Sequence, residues 1–182
     1  MAWGLNSFVI QIDAIRNEFN PNKTKGSIYL LDCGAHKKMY ASVSFMENID
    51  TLQITNWVQL KRNTGKTATV YNITIDLCDF LENNYNVKNL IFNVVMKLFK
   101  KFLKGLPSKC PLKKNKTLLL RGFYFDEDMF PPYIPDTNFT GFIGLSQRNS
   151  SLLKSFITAR VESKAKQGFR KDNKKIDKQC LQ

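Results

Sequence analysis

Cys78-Asp79-Phe80-Leu81-Glu82, then Leu90-Ile91-Phe92-Asn93-Val94-Val95-Met96-Lys97-Leu98-Phe99-Lys100-Lys101-Phe102-Leu103-Lys104-Gly105, then Cys110-Pro111: this stretch decides the fold, because here the hydrophobic period changes from that of a strand to that of a helix. From Val87 the apolar residues Leu90, Ile91, Val94, Val95, Leu98, Phe99, Phe102 and Leu103 recur at alternating steps of three and one. That spacing draws one stripe along a helix. Asn89, Asn93, Lys97, Lys100 and Lys104 gather on the opposite side, and Gly105 and Pro107 end the run, as glycine and proline do just past a helix C-terminus. A helix over 87–104 is predicted. A basic amphipathic helix can lie on a membrane surface, but a stripe this wide, set between strands that need a cover, is read as core.

On the N-terminal side the period is two. Phe8, Ile10, Ile12 and Ala14 alternate with Val9, Gln11, Asp13 and Ile15, and after the turn-like Asn20-Pro21-Asn22 the segment 27–33 reads as a second strand. Gly34-Ala35-His36-Lys37-Lys38 is its turn, after which Met39, Ala41, Val43 and Phe45 share a face opposite Tyr40, Ser42 and Ser44. Leu52, Ile54, Val58 and Leu60 alternate with Gln53, Thr55, Trp57 and Gln59, and beyond the turn Asn63-Thr64-Gly65-Lys66 comes the β-branched segment 67–75. On the C-terminal side strands are predicted over 117–125, 138–146 and 152–162, with Pro131-Pro132-Tyr133-Ile134-Pro135 as an extended linker, since proline cannot donate to a sheet ladder. The pattern is two groups of antiparallel strands with one helix between them. A chain of 182 residues with 43% apolar composition and 14 Phe is most economically one folded domain with a sizeable core.

The formal charge of +13 is unevenly placed: 160–178 carries eight basic residues against Glu162, Asp172 and Asp177, which is +5 of the total. Such a segment attracts phosphates and anionic headgroups without sequence preference, or simply solubilises the chain. The division read from this is one domain over 1–163 and a basic, mobile tail over 164–182. No apolar run reaches the roughly 18 residues a membrane-spanning helix needs.

Five Asn-x-Ser/Thr sequons, at Asn22, Asn72, Asn115, Asn138 and Asn149, stand where composition alone gives about two. If glycosylated, all are surface positions. Four cysteines in a domain of this size fit two disulfides of a secreted protein. Met1 to Ile12 lacks both a basic n-region and an unbroken apolar h-region, so the chain is read as a start missing its leader. The alternative is a cytosolic protein with reduced thiols.

Catalytic patterns are weak. With a single histidine, His36, and no Cys-x-x-Cys, the ligand count for the common zinc sites is not met. Asp76, Asp79 and Glu82 could serve as paired carboxylates for glycoside hydrolysis, but they cluster at a predicted helix N-terminus, where acids cap free N–H groups. Asp126-Glu127-Asp128 sits beside turn prolines. A nucleophile–histidine pair would depend wholly on His36, in a turn with two lysines. Gly65-Lys66-Thr67 ends like a phosphate loop, but Leu60 occupies the position of its first glycine. The expectation is a protein that is not an enzyme and carries no cofactor or metal.

The segments Ile73-Thr74-Ile75-Asp76-Leu77-Cys78-Asp79-Phe80-Leu81, Cys110-Pro111, Pro132-x-x-Pro135 and the aromatic strand after them resemble a large family of secreted insect proteins. That family is similar to the chemosensory B proteins and, more distantly, to the ganglioside-activator and ML lipid-recognition superfamily. The likeness spans roughly 31–163. It implies a mainly β fold, a sandwich or cup of antiparallel strands splayed around an apolar cavity, and a carrier of lipids or apolar semiochemicals acting in chemosensation. With it goes a disulfide between Cys78 and Cys110. Cys33 then has Cys180 as its in-chain partner, a free or intermolecular Cys180 being the alternatives. Cavity walls are expected from Phe92, Phe99, Phe102, Trp57, Phe123 and Phe125, and the implied partners are an apolar small molecule or lipid and a membrane receptor, with no specific nucleic acid. The competing reading is a basic interaction module whose tail docks on anionic membrane or nucleic acid.

Overall fold

The alternating segments become strands in the computed structural model, which describes residues 7–61, 65–82, 90–130, 132, 134–164 and 180. In chain order the elements are β1 (Phe8–Phe19), β2 (Thr24–Asp32), β3 (Lys37–Phe45), β4 (Gln53–Lys61), β5 (Thr67–Asp76), α1 (Leu77–Glu82), α2 (Leu90–Phe102), β6 (Leu103–Lys104), β7 (Thr117–Phe123), β8 (Thr137–Gln147) and β9 (Ser150–Ser163). They form a five-stranded sheet of order β1-β9-β8-β4-β5 and a four-stranded sheet of order β2-β3-β7-β6, with antiparallel pairings throughout. The molecule is a mainly β sandwich or cup.

Period two decides which side chains meet inside, because successive residues of a strand point to opposite faces. Val43 and Phe45 of β3 share one buried cluster with Leu152 and Leu153 of β9, and Met39 and Leu120 share a second with Ile12 and Ile157. Each cluster thus draws on both sheets. The alternation breaks in β1: Ala14, grouped by period with Phe8, Ile10 and Ile12, is exposed while those three are buried. A register shift between Ile12 and Ala14 explains it. Asp13 is the extra residue of a β-bulge, so beyond it Ile15 and Asn17 turn inward, and Asp13 itself meets Arg160 of β9.

Among the described residues two helices lie between the strand groups, and the predicted helix start at 87–89 falls outside the described residues. Asp76 starts the short α1, its Oδ1 accepting from the N–H groups of Cys78 (2.7 Å) and Asp79 (3.2 Å), which satisfies donors the first turn otherwise leaves unpaired. The acidic residues there are a cap. α2 stops at Phe102, two residues short of the predicted end at Lys104, because Leu103 and Lys104 pair with Leu120 and Leu119 of β7. Gly105 makes that exit workable: its φ is +84°, and a Cβ there would lie 2.6 Å from the carbonyl oxygen of Thr117, a place only glycine tolerates.

Both cysteine pairs are bonded. Cys78–Cys110 joins the start of α1 to the loop before β7, and Cys33–Cys180 joins the end of β2 to the C-terminal region, each with Cα atoms 5.5 Å apart. The predicted mobile tail falls mostly on 165–179, outside the described residues, but Cys180 is held in-chain. Arg160, counted with the tail from sequence, belongs to β9, where it pairs with Asp13 and Glu162. No helix among the described residues is long and apolar enough to cross a membrane.

Candidate functional site

Between the sheets, under the two helices, lies a cavity of about 170 Å³. Strand side chains supply most of its wall: Met39, Ala41 and Val43 of β3 and Ile54 of β4, whose alternation is plain in the sequence, with Leu118 and Leu120 of β7 and Leu153 and Ile157 of β9. Leu77 and Phe80 of α1 and Met96, Phe99 and Lys100 of α2 complete it. Two lining residues are polar. Ser155 is turned to Asn17, to whose Oδ1 its hydroxyl donates. Lys100 is exposed, as are Lys97 and Lys101 of α2 and Lys104 of β6 just beyond it. What remains inside is hydrocarbon, which offers a ligand burial and shape but few directed hydrogen bonds.

The predicted aromatic wall is only partly there. Phe99 lines the cavity and stacks on Phe123, ring centroids 4.4 Å apart and planes at 20°. Phe123 is fully buried and lies outside the lining. It anchors a solid cluster, with Phe102 at 5.7 Å and Phe125 at 5.3 Å in edge contacts. These three pack behind the cavity wall, because edge-to-face rings fill space well and leave the void to the aliphatic residues. The side chain of Phe92 lies outside the described residues. Trp57 is on the other face of the five-stranded sheet, stacked on Phe142 at 5.4 Å and edge-on to Phe156 at 6.5 Å. Its sequence parity, opposite to Ile54 and Val58, already carried that signal. The walls missed from sequence, chiefly the β3 row and Phe80, were legible as alternation and as the Cys78-to-Leu81 motif, but no local pattern says that two rows stand apart.

Several polar groups near the core have structural partners. Tyr71 donates to Asn56 Oδ1 at 2.6 Å, and Asn56 Nδ2 donates to the Phe142 carbonyl at 2.7 Å. Burial pushes the Tyr71 phenol well above its ordinary pKa. His36 stacks on Tyr124 at 4.8 Å with Nδ1 3.6 Å from Glu127 Oε1, an oxygen that also accepts from the Ile10 N–H at 3.0 Å. Asp126 caps the 3₁₀ turn Glu127–Met129 and meets Lys101 at 3.5 Å. Among the described residues no cluster of three His, Cys, Asp or Glu could hold a metal ion.

All five sequon asparagines are exposed: Asn22 in the β1–β2 turn, Asn72 on β5, Asn115 before β7, Asn138 on β8 and Asn149 in the β8–β9 turn. Two disulfides in one small domain are the mark of an oxidising, extracytosolic compartment. Comparison with known families gives one match: residues 55–141 fit the model described as "Protein of unknown function (DUF1091)". That segment runs from β4 into β8 and contains both helices and the Cys78–Cys110 bridge. No curated protein matches the chain.

Proposed function

We propose that the protein is a secreted, glycosylated carrier of a small apolar ligand held between its sheets. The observation that carries this reading is the cavity of about 170 Å³ with an almost wholly hydrocarbon wall. A cavity of roughly 150 Å³ lined by aliphatic and aromatic side chains stays dry and takes up benzene, so this one suits a single ring or one short chain. A lipid with two long chains needs the sheets to open further. The likeness to the chemosensory B and ML proteins, whose cups take apolar molecules, supports the same reading and a chemosensory setting, with a membrane receptor as the partner that would read the loaded state. Exposed sequons and two disulfides support secretion.

The test is native mass spectrometry of the chain secreted behind a supplied leader, together with displacement of a fluorescent fatty acid by monocyclic and short-chain competitors. A co-purifying apolar molecule, or competition at micromolar concentration, supports the carrier. An empty protein that binds none of them defeats it.

A second reading rests on exposed Lys97, Lys100 and Lys101 of α2 and Lys104 of β6 just beyond it, of which Lys100 touches the cavity. They would set that helix against an anionic membrane, with the C-terminal tail adding charge. Retention on anionic vesicles that falls with salt, and survives deletion of 164–182 but not neutralisation of Lys97, Lys100, Lys101 and Lys104, assigns the docking to α2 and its exit into β6. Loss on deleting the tail assigns it to the tail.

A further inference from the structure

The outer face of the five-stranded sheet carries one row, aromatic at its centre, that crosses it strand by strand. In register the row reads Asn72 on β5, Trp57 on β4, Phe142 on β8, Phe156 on β9 and Arg16 on β1. Its rings are in contact: Trp57 on Phe142 at 5.4 Å with planes at 14°, Phe142 on Phe156 at 5.0 Å, and the Arg16 guanidinium 4.7 Å above Phe156. Phe142 leans over Gly144, whose missing Cβ would lie 2.8 Å from the ring. Arg16 therefore closes the β1 end, and Trp57 is the last ring at the β5 end. The next residue in that direction is the exposed sequon asparagine Asn72, paired directly with Trp57. Side chains paired across antiparallel strands have Cβ atoms about 5 Å apart.

We propose that Asn72 carries an N-linked glycan whose first N-acetylglucosamine lies on Trp57, so that the aromatic row is a platform for the protein's own sugar. The proposal rests on the secreted reading above. In the attachment step Asn72 Nδ2 bonds to the anomeric carbon of a polyprenyl-diphosphate-linked oligosaccharide. The carbon–oxygen bond to the diphosphate breaks, the lipid diphosphate leaves with the electron pair, and the amide gives up one proton. The C–H face and acetyl methyl of the sugar are apolar and pack on an aromatic face as other apolar groups do. Position explains the benefit: β5 is an edge of its sheet, and an edge with unpaired backbone groups is a template for association unless it is covered. Val70 on the same strand is one of the exposed large apolar residues. A second copy of the chain is disfavoured as occupant, because Asn138, another exposed sequon, stands on the same outer face four residues from Phe142.

The experiment uses the full chain secreted behind a supplied leader, as wild type, Asn72→Gln, Trp57→Val and the double variant. Glycopeptide mass spectrometry reads occupancy at each sequon, and NMR of protein trimmed to single, labelled N-acetylglucosamines reads the acetyl methyl of each. The expected result is occupancy at Asn72 and an upfield, ring-shifted methyl there, returning to its ordinary position in Trp57→Val. Asn72→Gln should lower Tm by about 2 to 4 °C in the wild-type background and leave Trp57→Val unchanged. The wild-type methyl shift decides the matter even if Trp57→Val does not fold. An unoccupied Asn72 beside occupied sequons overturns the proposal alone, whereas five bare sequons overturn the glycoprotein reading with it. An occupied Asn72 with an unshifted methyl also overturns it, as does a concentration-dependent dimer abolished by Trp57→Val, which would put a second copy on the row.

Discussion

At the scale of single residues, Phe99 and Phe123 are neighbours with different work. Phe123 has ring partners in Phe99, Phe102 and Phe125, so Phe123→Ala leaves a hole among them and should cost about 4 to 5 kcal/mol, the upper end for Phe→Ala. Phe99 already borders an open space. Phe99→Ala widens that space rather than creating one, and should cost about 3 kcal/mol while weakening apolar-ligand binding. Urea unfolding beside a displacement assay checks both. An equal loss of stability in the two variants with unchanged binding would remove Phe99 from the cavity wall. Tyr71 gives a pH test. Its phenol is raised above the ordinary 10.0 by burial, so from about pH 10 upward the unfolded chain releases a proton that the folded one retains. Stability is therefore unaffected by this group below pH 10 and falls as pH rises past it. Tyr71→Phe should cost about 1 to 3 kcal/mol at neutral pH by depriving Asn56 Oδ1 of its donor. The gap between wild type and variant should narrow above pH 10, since only the wild type carries this proton. A gap independent of pH would contradict the assignment.

Among the elements, the junction from α2 to β7 is the least interchangeable. Gly105→Ala puts a methyl against the Thr117 carbonyl at a positive φ and should cost about 1 to 3 kcal/mol, read as a lower Tm with the same folded spectrum. The two bridges act on different loops. Cys78 and Cys110 are 32 residues apart and Cys33 and Cys180 are 147 apart, for which loop-closure entropy gives about 3.7 and about 5 kcal/mol. Replacing each pair by alanine should lower stability in that order, the long loop losing more. Equal losses would mean that the unfolded chain is already compact enough to make loop length irrelevant. The helix stripe itself was legible, but its end was not. Leu103 continues the 3.6 period perfectly well, and it leaves the helix because Leu120 is there to pair with it.

For the whole molecule, the cavity sets a size limit that can be measured. A monocyclic or short-chain apolar ligand at one hundred times its Kd should stabilise the fold by about 2.7 kcal/mol, a rise in Tm of roughly 5 to 10 °C. Two-chain lipids should give little shift at equal free concentration. The reverse order would mean that the sheets part to admit a larger guest, and that the cavity of about 170 Å³ is the unloaded state.

The sequence by itself determined the strands, the amphipathic helix, the exposed sequons and the cysteines that become two bridges, because period and turn chemistry are local and each residue states its own part of them. Its parity also put Trp57 opposite Ile54 and Val58, hence outside. Only the tertiary structure decided that Asp13 is a bulge and moves Ala14 to the surface, and that Phe102, Phe123 and Phe125 close into a solid cluster while aliphatic residues border the void. The reason is that a cavity is the difference between the volume two sheets enclose and the volume their inner rows fill. That difference depends on the spacing and twist of strands far apart in the chain, to which no single segment is sensitive.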